Sequence, residues 1–173
     1  MDNVLLVTEN LILRDLDSAD NLDWLEIFSS EKVAQFLVKM DNLEAINRSI
    51  TKKINKYKDL AGGSYSVVLK GTDKVIGNLE LKIDDQKNWA EISYVFNDKY
   101  WNKGYCTESC RALIQYAFDT VGVSKVIADC LSNNFASCHI LADKLNMRFV
   151  KEEIPEGENK AFKFYEILKS EWK

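Results

Sequence analysis

The chain has 173 residues, of which 46% are hydrophobic and 29% are charged, a composition typical of a water-soluble globular protein. Its formal net charge of −4 at pH 7 argues against a nucleic-acid-binding protein, because such proteins carry basic patches. The length predicts a single domain that spans residues 1–173.

The N-terminal part of the chain predicts one strand followed by two helices. NLILRDL alternates between apolar and polar residues and predicts a strand that ends at Asp15. DSADNLDWLEIFSS begins with residues that cap helices. Its apolar stripe consists of Leu22, Leu25, Ile27 and Phe28. A second helix is predicted over residues 43–60, where isoleucines recur at a spacing of four until AGG ends the pattern.

Three strands and a long helix follow. The strands are predicted at Ser64–Lys70, Lys74–Ile83 and Trp89–Phe96. The short turns GTD and DDQKN between them predict antiparallel pairing. The helix is predicted from about Thr107 to Val121, and Gly122 ends it. Its apolar residues recur at intervals of three and four: Cys106, Cys110, Leu113, Ile114, Ala117, Phe118 and Val121.

The last third of the chain predicts a strand, a helix and a hairpin. KVIADCL is the strand, the helix runs from about Asn134 to Leu145, and RFVKEEI pairs with AFKFYEIL around PEGEN. The complete order is β-α-α-β-β-β-α-β-α-β-β. One strand–helix–strand unit within a mostly antiparallel sheet predicts an α+β fold with one parallel crossover.

The sequence gives no sign of export, membrane insertion or metal binding. No apolar run approaches the roughly 18–20 residues that cross a bilayer, and MDNVLLVTENLILR lacks the features of a signal peptide. The four cysteines have no C-x-x-C spacing and the chain has one histidine, so we expect no zinc site. Cys106 and Cys110 are predicted to be buried thiols in a reducing cytoplasm.

The segment YWNKGYCTES, residues 100–109, lies where the third of these strands meets the long helix. The first N–H groups of a helix lack intrahelical partners and carry partial positive charge. Gly104 leaves room for a phosphate to approach the backbone, and Lys103 adds a full charge. Two interpretations fit these residues: an anion-binding loop, or a tight loop in which Gly104 forms the turn and Thr107 caps the helix.

The segment matches neither G-x-x-x-x-G-K-[ST] nor G-x-G-x-x-G. It resembles the acyl-CoA pyrophosphate loop of the GNAT superfamily of N-acetyltransferases, Arg/Gln-x-x-Gly-x-Gly/Ala at the start of the central helix. The frame here runs from Trp101 to Cys106, and both of these residues depart from the general pattern. The segment is similar to W-G-K-G-Y-A-T-E-A of the Rim-type branch, which acetylates the N-termini of ribosomal proteins.

The resemblance extends over most of the chain in the same order. LVTENLILRDLDSAD is similar to the opening of that branch, T-E-R-L-x-L-R followed by an Asp, and AEISYVFNDKYW to the strand before its loop. SNNFASCHILADKLNMRF resembles P-x-N-x-x-S-x-x-x-L-x-K-L-G-F, although Ser132 replaces the Pro and Asn146-Met147 replace Gly-Phe. FYEILKSEW is similar to Y-x-L-x-x-x-E-W.

The resemblance implies a GNAT fold, in which a mixed, mostly antiparallel sheet with one splayed strand pair is flanked by helices. It also implies an acetyl-CoA site. The strand N–H groups that would polarise the thioester carbonyl belong to Tyr94, Val95 and Phe96. The loop residues implied to bind the cosubstrate are Trp101, Asn102, Lys103, Gly104, Tyr105, Cys106 and Thr107. Asn134 falls on the N-x-x-S motif and could contact CoA, cap its helix, or do both.

The resemblance leaves the catalytic groups more open. Ser137 could protonate the departing CoA thiolate, or be an ordinary serine in a first helical turn. Many relatives use a Tyr on this helix, where this chain has Leu141 and Ala142. Glu91 and Glu80 are the candidate bases for the acceptor amine, and Glu91 is the preferred one. Tyr165 is expected to help to position the acceptor.

These observations predict an acetyl-CoA-dependent N-acetyltransferase that acts by direct attack of a primary amine, without a covalent enzyme intermediate. The acceptor could be a protein N-terminal α-amine, such as that of a ribosomal protein, or a small amine such as a polyamine or an aminoglycoside. The alternative is a non-catalytic acetyl-CoA-binding module of the same fold. The partners expected are acetyl-CoA and the acceptor, with no nucleic acid, membrane or metal, in a monomer or homodimer.

Overall fold

Eight strands of the described residues pair into one sheet, with helices on both faces. The computed structural model describes residues 3–58, 62–84 and 86–173. The strands are β1 (Val4–Val7), β2 (Leu11–Asp15), β3 (Gly62–Leu69), β4 (Val75–Asp84), β5 (Trp89–Phe96), β6 (Lys125–Leu131), β7 (Arg148–Glu153) and β8 (Phe162–Leu168). The α-helices are α1 (Asn21–Ser29), α2 (Leu43–Lys56), α3 (Tyr105–Tyr116) and α4 (Phe135–His139). Wider π-helical turns, Ala117–Val121 and Ile140–Lys144, extend α3 and α4. None of the described helices is both long enough and apolar enough to span a membrane.

The strand order in the sheet is β1-β2-β3-β4-β5-β6-β8-β7. All neighbouring strands are antiparallel except β5 and β6, which are parallel and are joined through α3. A parallel pair needs a crossover connection, and α3 supplies it. The predicted α+β class with one parallel crossover is therefore confirmed.

The N-terminal segment differs from the prediction in two ways. Val4–Val7 forms a strand that the sequence analysis missed, because VLLV is a short apolar run without alternation. Leu22, placed on the apolar stripe of α1, is 66% exposed, whereas Trp24 is fully buried. The helix α2 ends at Lys56, and residues 59–60 of the predicted helix lie outside the described residues.

The two faces of the sheet carry different cores. Apolar residues of β2 to β6 and β8 pack against α3 and α4 on one face, called here the helix-3 face. On the opposite face, α1 and α2 cover a smaller cluster that includes Trp24, Ile27, Ile46 and Ile50. This face is called the acceptor face because the predicted bases lie on it. Because successive strand residues alternate between faces, each strand contributes residues to both.

A buried ion pair connects the start of α1 to the sheet. The guanidinium of Arg14 on β2 donates to both carboxylate oxygens of Asp20, at 2.6 and 2.9 Å, and Asp20 is 5% exposed. Ser66 on β3 donates at 2.6 Å, and the backbone N–H of Asp17 at 3.1 Å. Burial alone would raise the pKa of Asp20, but these hydrogen bonds outweigh burial and lower the pKa.

Replacement of Asp20 by Asn should destabilise the protein by about 3 kcal/mol at pH 7, because it removes the buried negative charge that accepts two hydrogen bonds from the Arg14 guanidinium. Since the folded pKa of Asp20 is depressed, its stabilisation is complete above the unfolded value of about 3.9 and is lost as pH falls through the folded value. The difference in urea midpoint between wild type and Asp20→Asn should therefore shrink between pH 7 and pH 3. Glu44→Gln, in an exposed pair with Arg48, is the control and should change the midpoint little. Equal midpoints for Asp20→Asn and wild type at pH 7 would contradict this account.

Candidate functional site

The parallel pairing of β5 with β6 stops after three residue pairs. Trp89, Ala90 and Glu91 pair with residues 125–127, although β5 continues to Phe96 and β6 to Leu131. Over this remaining length β5 stays paired with β4, and β6 stays paired with β8. The two strands therefore separate beyond Glu91 and leave a gap, the β5–β6 gap, with a firmly held strand on each side. This is the splayed strand pair that the resemblance implied.

Backbone N–H groups of β5 point into this gap in alternation. The N–H of Asn97 donates to the Ile76 carbonyl at 2.9 Å, which sets the phase of the β4–β5 ladder. In an antiparallel ladder, alternate residues direct both backbone groups to one neighbour. The N–H groups of Tyr94 and Phe96 consequently face the gap, whereas the N–H of Val95 faces β4. Of the three predicted donors, Tyr94 and Phe96 are oriented for a ligand in the gap, and Val95 is not.

The segment before α3 has the backbone of an anion-binding loop. Asn102 and Gly104 both adopt left-handed conformations, with φ of 61° and 83°. Gly104 is the N-cap residue of α3, and no side chain caps the helix. Thr107 lies within the first turn and is not the cap, so the tight-loop interpretation with a Thr107 cap is wrong. The N–H groups of Tyr105, Cys106 and Thr107 have no intrahelical partner and can bind an anion.

Glycine is required at position 104 for its backbone conformation rather than for space inside the protein. A Cβ atom built there would have no neighbour within 4 Å. The positive φ is what disfavours other residues. The open space beside the Gly104 backbone leaves the approach to these N–H groups unobstructed.

The other loop residues have separate roles. The indole N–H of Trp101 donates to the Phe96 carbonyl at 2.9 Å, so Trp101 braces the end of β5 rather than offering that N–H to a ligand. The Lys103 ammonium lies 5.2 Å from the centre of the Tyr100 ring, and Lys103 is exposed. Cys110 is fully buried as predicted, but Cys106 is only partly buried because it faces the loop end of the helix.

Asn134 and Ser137 organise the first turn of α4. The side-chain oxygen of Asn134 accepts from the Ser137 N–H at 3.1 Å, so Asn134 is the N-cap of α4. The Ser137 hydroxyl is 2.7 Å from the Tyr94 hydroxyl on β5. Burial raises the pKa of Tyr94 far above its usual value, so the phenol stays neutral at physiological pH. The sequence predicted a role only for the backbone of Tyr94. The strand pattern also indicates the face of its side chain, because Tyr94 lies two residues from the buried Ile92 and therefore on the same, helix-3 face.

The two predicted bases on the acceptor face differ in how they are engaged. Glu80 is in contact with Lys53, lies 3.5 Å from the Lys56 ammonium, and accepts from the Tyr57 hydroxyl at 3.0 Å. Two lysines of α2 and the tyrosine that follows the helix thus surround its carboxylate. Glu91 on β5 is 3.4 Å from Lys82 and its side chain is 31% exposed. Glu91 is therefore the more available of the two.

Asp129 on β6 is a functional candidate that the sequence analysis missed. Glu91 pairs with Ile127, so Asp129, two residues further along β6, points to the same acceptor face beside the gap. Partial burial of its carboxylate and the negative charge of Glu91 raise the pKa of Asp129, although the residue as a whole is exposed. The alternation in KVIADCL was the available signal, because it groups Asp129 with Ile127.

Tyr165 on β8 lies on the helix-3 face, opposite the face of the predicted base Glu91. It pairs with Ala128, which shares the helix-3 face with Val126 and Ala90, and it is 5% exposed. Its hydroxyl contacts Cys138 of α4. The acceptor-positioning role of Tyr165 stays a prediction, and the neighbouring Glu166, which pairs with Ile127, occupies the acceptor face.

Comparison with known proteins relates the chain to acetyltransferases. The family described as Acetyltransferase (GNAT) domain matches residues 10–148. The uncharacterized N-acetyltransferase YnaD of Bacillus subtilis strain 168 is 28% identical over 171 residues, covering 96% of this chain and 98% of YnaD. The crystal structure of a GNAT-family acetyltransferase from Bacillus anthracis superposes with a TM-score of 0.84 at 26% identity, covering 96% of this chain and 99% of that one.

A structure of RimL, a ribosomal L7/L12 alpha-N-protein acetyltransferase in complex with coenzyme A, is also similar. Its TM-score is 0.81 at 16% identity, and the match covers 96% of this chain and 98% of RimL. At this identity the likeness shows a shared fold.

Two glycines at opposite ends of the α3 helical segment allow a matched test of the loop. Gly104 and Gly122 have φ of 83° and 85°, and a Cβ atom at either would meet nothing within 4 Å. Valine at either position should cost about 1–3 kcal/mol of stability through backbone strain. Only Gly104→Val should also block the N–H groups, and thus reduce the rise in melting temperature that acetyl-CoA produces in wild type. Wild-type acetyl-CoA binding by Gly104→Val, or an equal loss in Gly122→Val, would show that the anion does not bind at this loop.

Proposed function

The chain belongs to the GNAT acetyltransferase family and is an N-acetyltransferase that uses acetyl-CoA, and from this premise we propose that a primary amine attacks the thioester directly, with a peptide or protein α-amine as the acceptor. The observation that carries the proposal is the β5–β6 gap, because the strands that border it present residues to both faces of the sheet. The loop before α3 and the Tyr94–Ser137 pair serve it from the helix-3 face, and Glu91 and Asp129 from the acceptor face. Cosubstrate and amine can then meet in the gap without an acyl-enzyme.

The residues of the helix-3 face would bind and polarise the cosubstrate. The unpaired N–H groups at the start of α3 would hold the pyrophosphate, with Lys103 adding positive charge. The N–H groups of Tyr94 and Phe96 would donate to the thioester carbonyl oxygen, where negative charge develops as the amine attacks. Asn134 holds the α4 turn that presents Ser137 and could contribute its amide nitrogen to the same ligand.

The Ser137–Tyr94 pair would act on the sulfur as it leaves. A thiol has an ordinary pKa of about 8.5, well below that of the buried Tyr94 phenol. Complete proton transfer from the phenol to the thiolate would therefore be unfavourable. A hydrogen bond from Ser137, supported by Tyr94 at 2.7 Å, would instead stabilise the thiolate while it forms. This pair would take the place of the helix tyrosine that relatives use.

The available bases favour an acceptor that is easily deprotonated. Glu91 is paired with Lys82, and Glu80 is surrounded by donors on and directly after α2. An α-amine has a pKa of about 7.7–8.0, so roughly a tenth of it is neutral at pH 7, against less than about a thousandth for an alkylamine of pKa near 10.4. Glu91 would accept the remaining proton directly or through water, with Asp129 as the alternative base.

Apolar side chains near the acceptor face also suit a peptide. Lys32, in the segment that joins α1 to α2, pairs with Asp98 just after β5 at 3.3 Å, so this segment runs beside the end of β5. Leu37 and Val38 in this segment are 43% and 82% exposed. They could contact the side chains that follow an N-terminal amine, which a polyamine lacks. RimL, whose name gives a protein α-amine as its target, has the same fold.

The proposal predicts which amines release free CoA from acetyl-CoA. At pH 7, short peptides with free N-termini should exceed spermidine and an aminoglycoside in kcat/KM, and the difference should narrow toward pH 10 as the alkylamines deprotonate. Glu91→Gln should lower kcat/KM for the peptide at pH 7 by about 10²-fold while leaving acetyl-CoA binding nearly unchanged.

Asp129→Asn is the matched comparison, because it removes the neighbouring carboxylate from the same face. It should have the smaller effect at pH 7; the reverse order would move the role of base to Asp129. Preference for the polyamine at pH 7 would contradict the α-amine assignment. An absence of CoA release with every amine would contradict the proposed acceptor classes altogether.

A further inference from the structure

The turn between β1 and β2 is attached to the first turn of α3 through Glu108. The Glu108 carboxylate accepts from the Thr8 hydroxyl at 2.6 Å, from the Asn10 backbone N–H at 2.7 Å and from the Asn10 side-chain amide at 3.0 Å. These residues are about 100 positions apart in sequence. The three hydrogen bonds are the direct side-chain link between the N-terminal hairpin and the start of the helix.

The turn is itself fixed from its other side. The Lys70 ammonium at the end of β3 contacts the Thr8 carbonyl and donates to the Glu9 carbonyl at 3.2 Å. The Lys70 backbone N–H donates to the Asn10 carbonyl at 2.9 Å. A continuous set of hydrogen bonds therefore leads from β3 through the turn to Glu108. The start of α3 is held against the sheet at the residue that directly follows its unpaired N–H groups.

The same contacts keep the Glu108 carboxylate ionised and directed toward the β1–β2 turn. Burial alone would raise the pKa of Glu108, but the bonds from Thr8 and Asn10 outweigh burial and lower the pKa, so the carboxylate is ionised at neutral pH. A free carboxylate in a first helical turn is attracted to the N–H groups there. Once bound by Thr8 and Asn10, it is kept from competing with an anionic ligand for those groups.

We propose that Glu108 is a positioning residue, which through Thr8 and Asn10 holds the start of α3 in the orientation that binds the pyrophosphate of the cosubstrate. The proposal rests on the pyrophosphate site described under the proposed function. It assigns Glu108 no contact with the reacting atoms. Substitution of Glu108 should therefore weaken the use of a cosubstrate that has a pyrophosphate and not of one that lacks it.

The test compares two acetyl donors in wild type, Glu108→Gln and Glu9→Gln. Acetyl-CoA contains the pyrophosphate, whereas S-acetylpantetheine has the same thioester arm without it. Glu108→Gln turns an amide group toward the Asn10 side chain and loses the charge, so kcat/KM for acetyl-CoA should fall about tenfold, mainly through KM. With S-acetylpantetheine the variant should match wild type. Glu9 is exposed on the same turn, and Glu9→Gln should match wild type with both donors.

Two outcomes would overturn the proposal. An equal loss with both donors would mean that Glu108 only supports the fold, and no loss with either would mean that it does not orient the loop. Calorimetric binding of CoA and of pantetheine gives the same comparison without turnover. Glu108 is thereby tested even if no amine is acetylated, which would be a failure of the proposed function instead.

A second pair of variants tests the proposal even if Glu108→Gln does not fold. Thr8→Val preserves the shape of the side chain but removes the hydroxyl donor to Glu108, and it should weaken binding of CoA without weakening that of pantetheine. Thr8→Ser keeps the hydroxyl and should restore wild-type CoA binding. Failure of Thr8→Ser to differ from Thr8→Val would contradict the role of this hydrogen bond.

Discussion

The early end of the β5–β6 ladder is the constraint on which the rest of the site depends. A strand edge that leaves its neighbour exposes backbone N–H and C=O groups, and these must be satisfied by another partner. Here β5 remains paired with β4, and β6 with β8, so each strand is held on the side away from the gap. Trp101 satisfies the Phe96 carbonyl, while the Tyr94 and Phe96 N–H groups remain directed into the gap. These N–H groups are thus available to a ligand without local unfolding of the sheet.

The helix that crosses between these strands adds the second element. Because β5 and β6 are parallel, their connection must cross one face of the sheet, and α3 therefore begins close to the end of β5. Its uncapped N-terminus lies eight residues beyond Phe96. The acceptor face is separate from the helix-3 face. The helices α1 and α2 pack on it, and its charged groups are the strand residues that alternate with those of the helix-3 face.

Features that local rules decide could be predicted from the sequence, and contacts between distant residues could not. The loop that ends at Gly104 followed from a glycine before a strongly periodic helix, and the strand–helix–strand order followed from periodicity. The contact of Tyr94 with Ser137 and that of Glu108 with Thr8 join residues 43 and 100 positions apart, and no local pattern reveals them. Tyr165 lies on the helix-3 face and its neighbour Glu166 on the other face because strand side chains alternate, and the pairing of β8 with β6 that fixes these faces joins segments far apart in sequence.

Hydrogen–deuterium exchange with and without CoA tests the central claim most directly, because the proposed ligand contacts are backbone N–H groups. CoA should slow exchange in residues 94–107, which include the free N–H groups of Tyr94, Phe96 and the first turn of α3. Exchange in α2, which lies on the acceptor face, should change little. Protection confined to α2 or to the N-terminal hairpin, with residues 94–107 unaffected, would contradict the account.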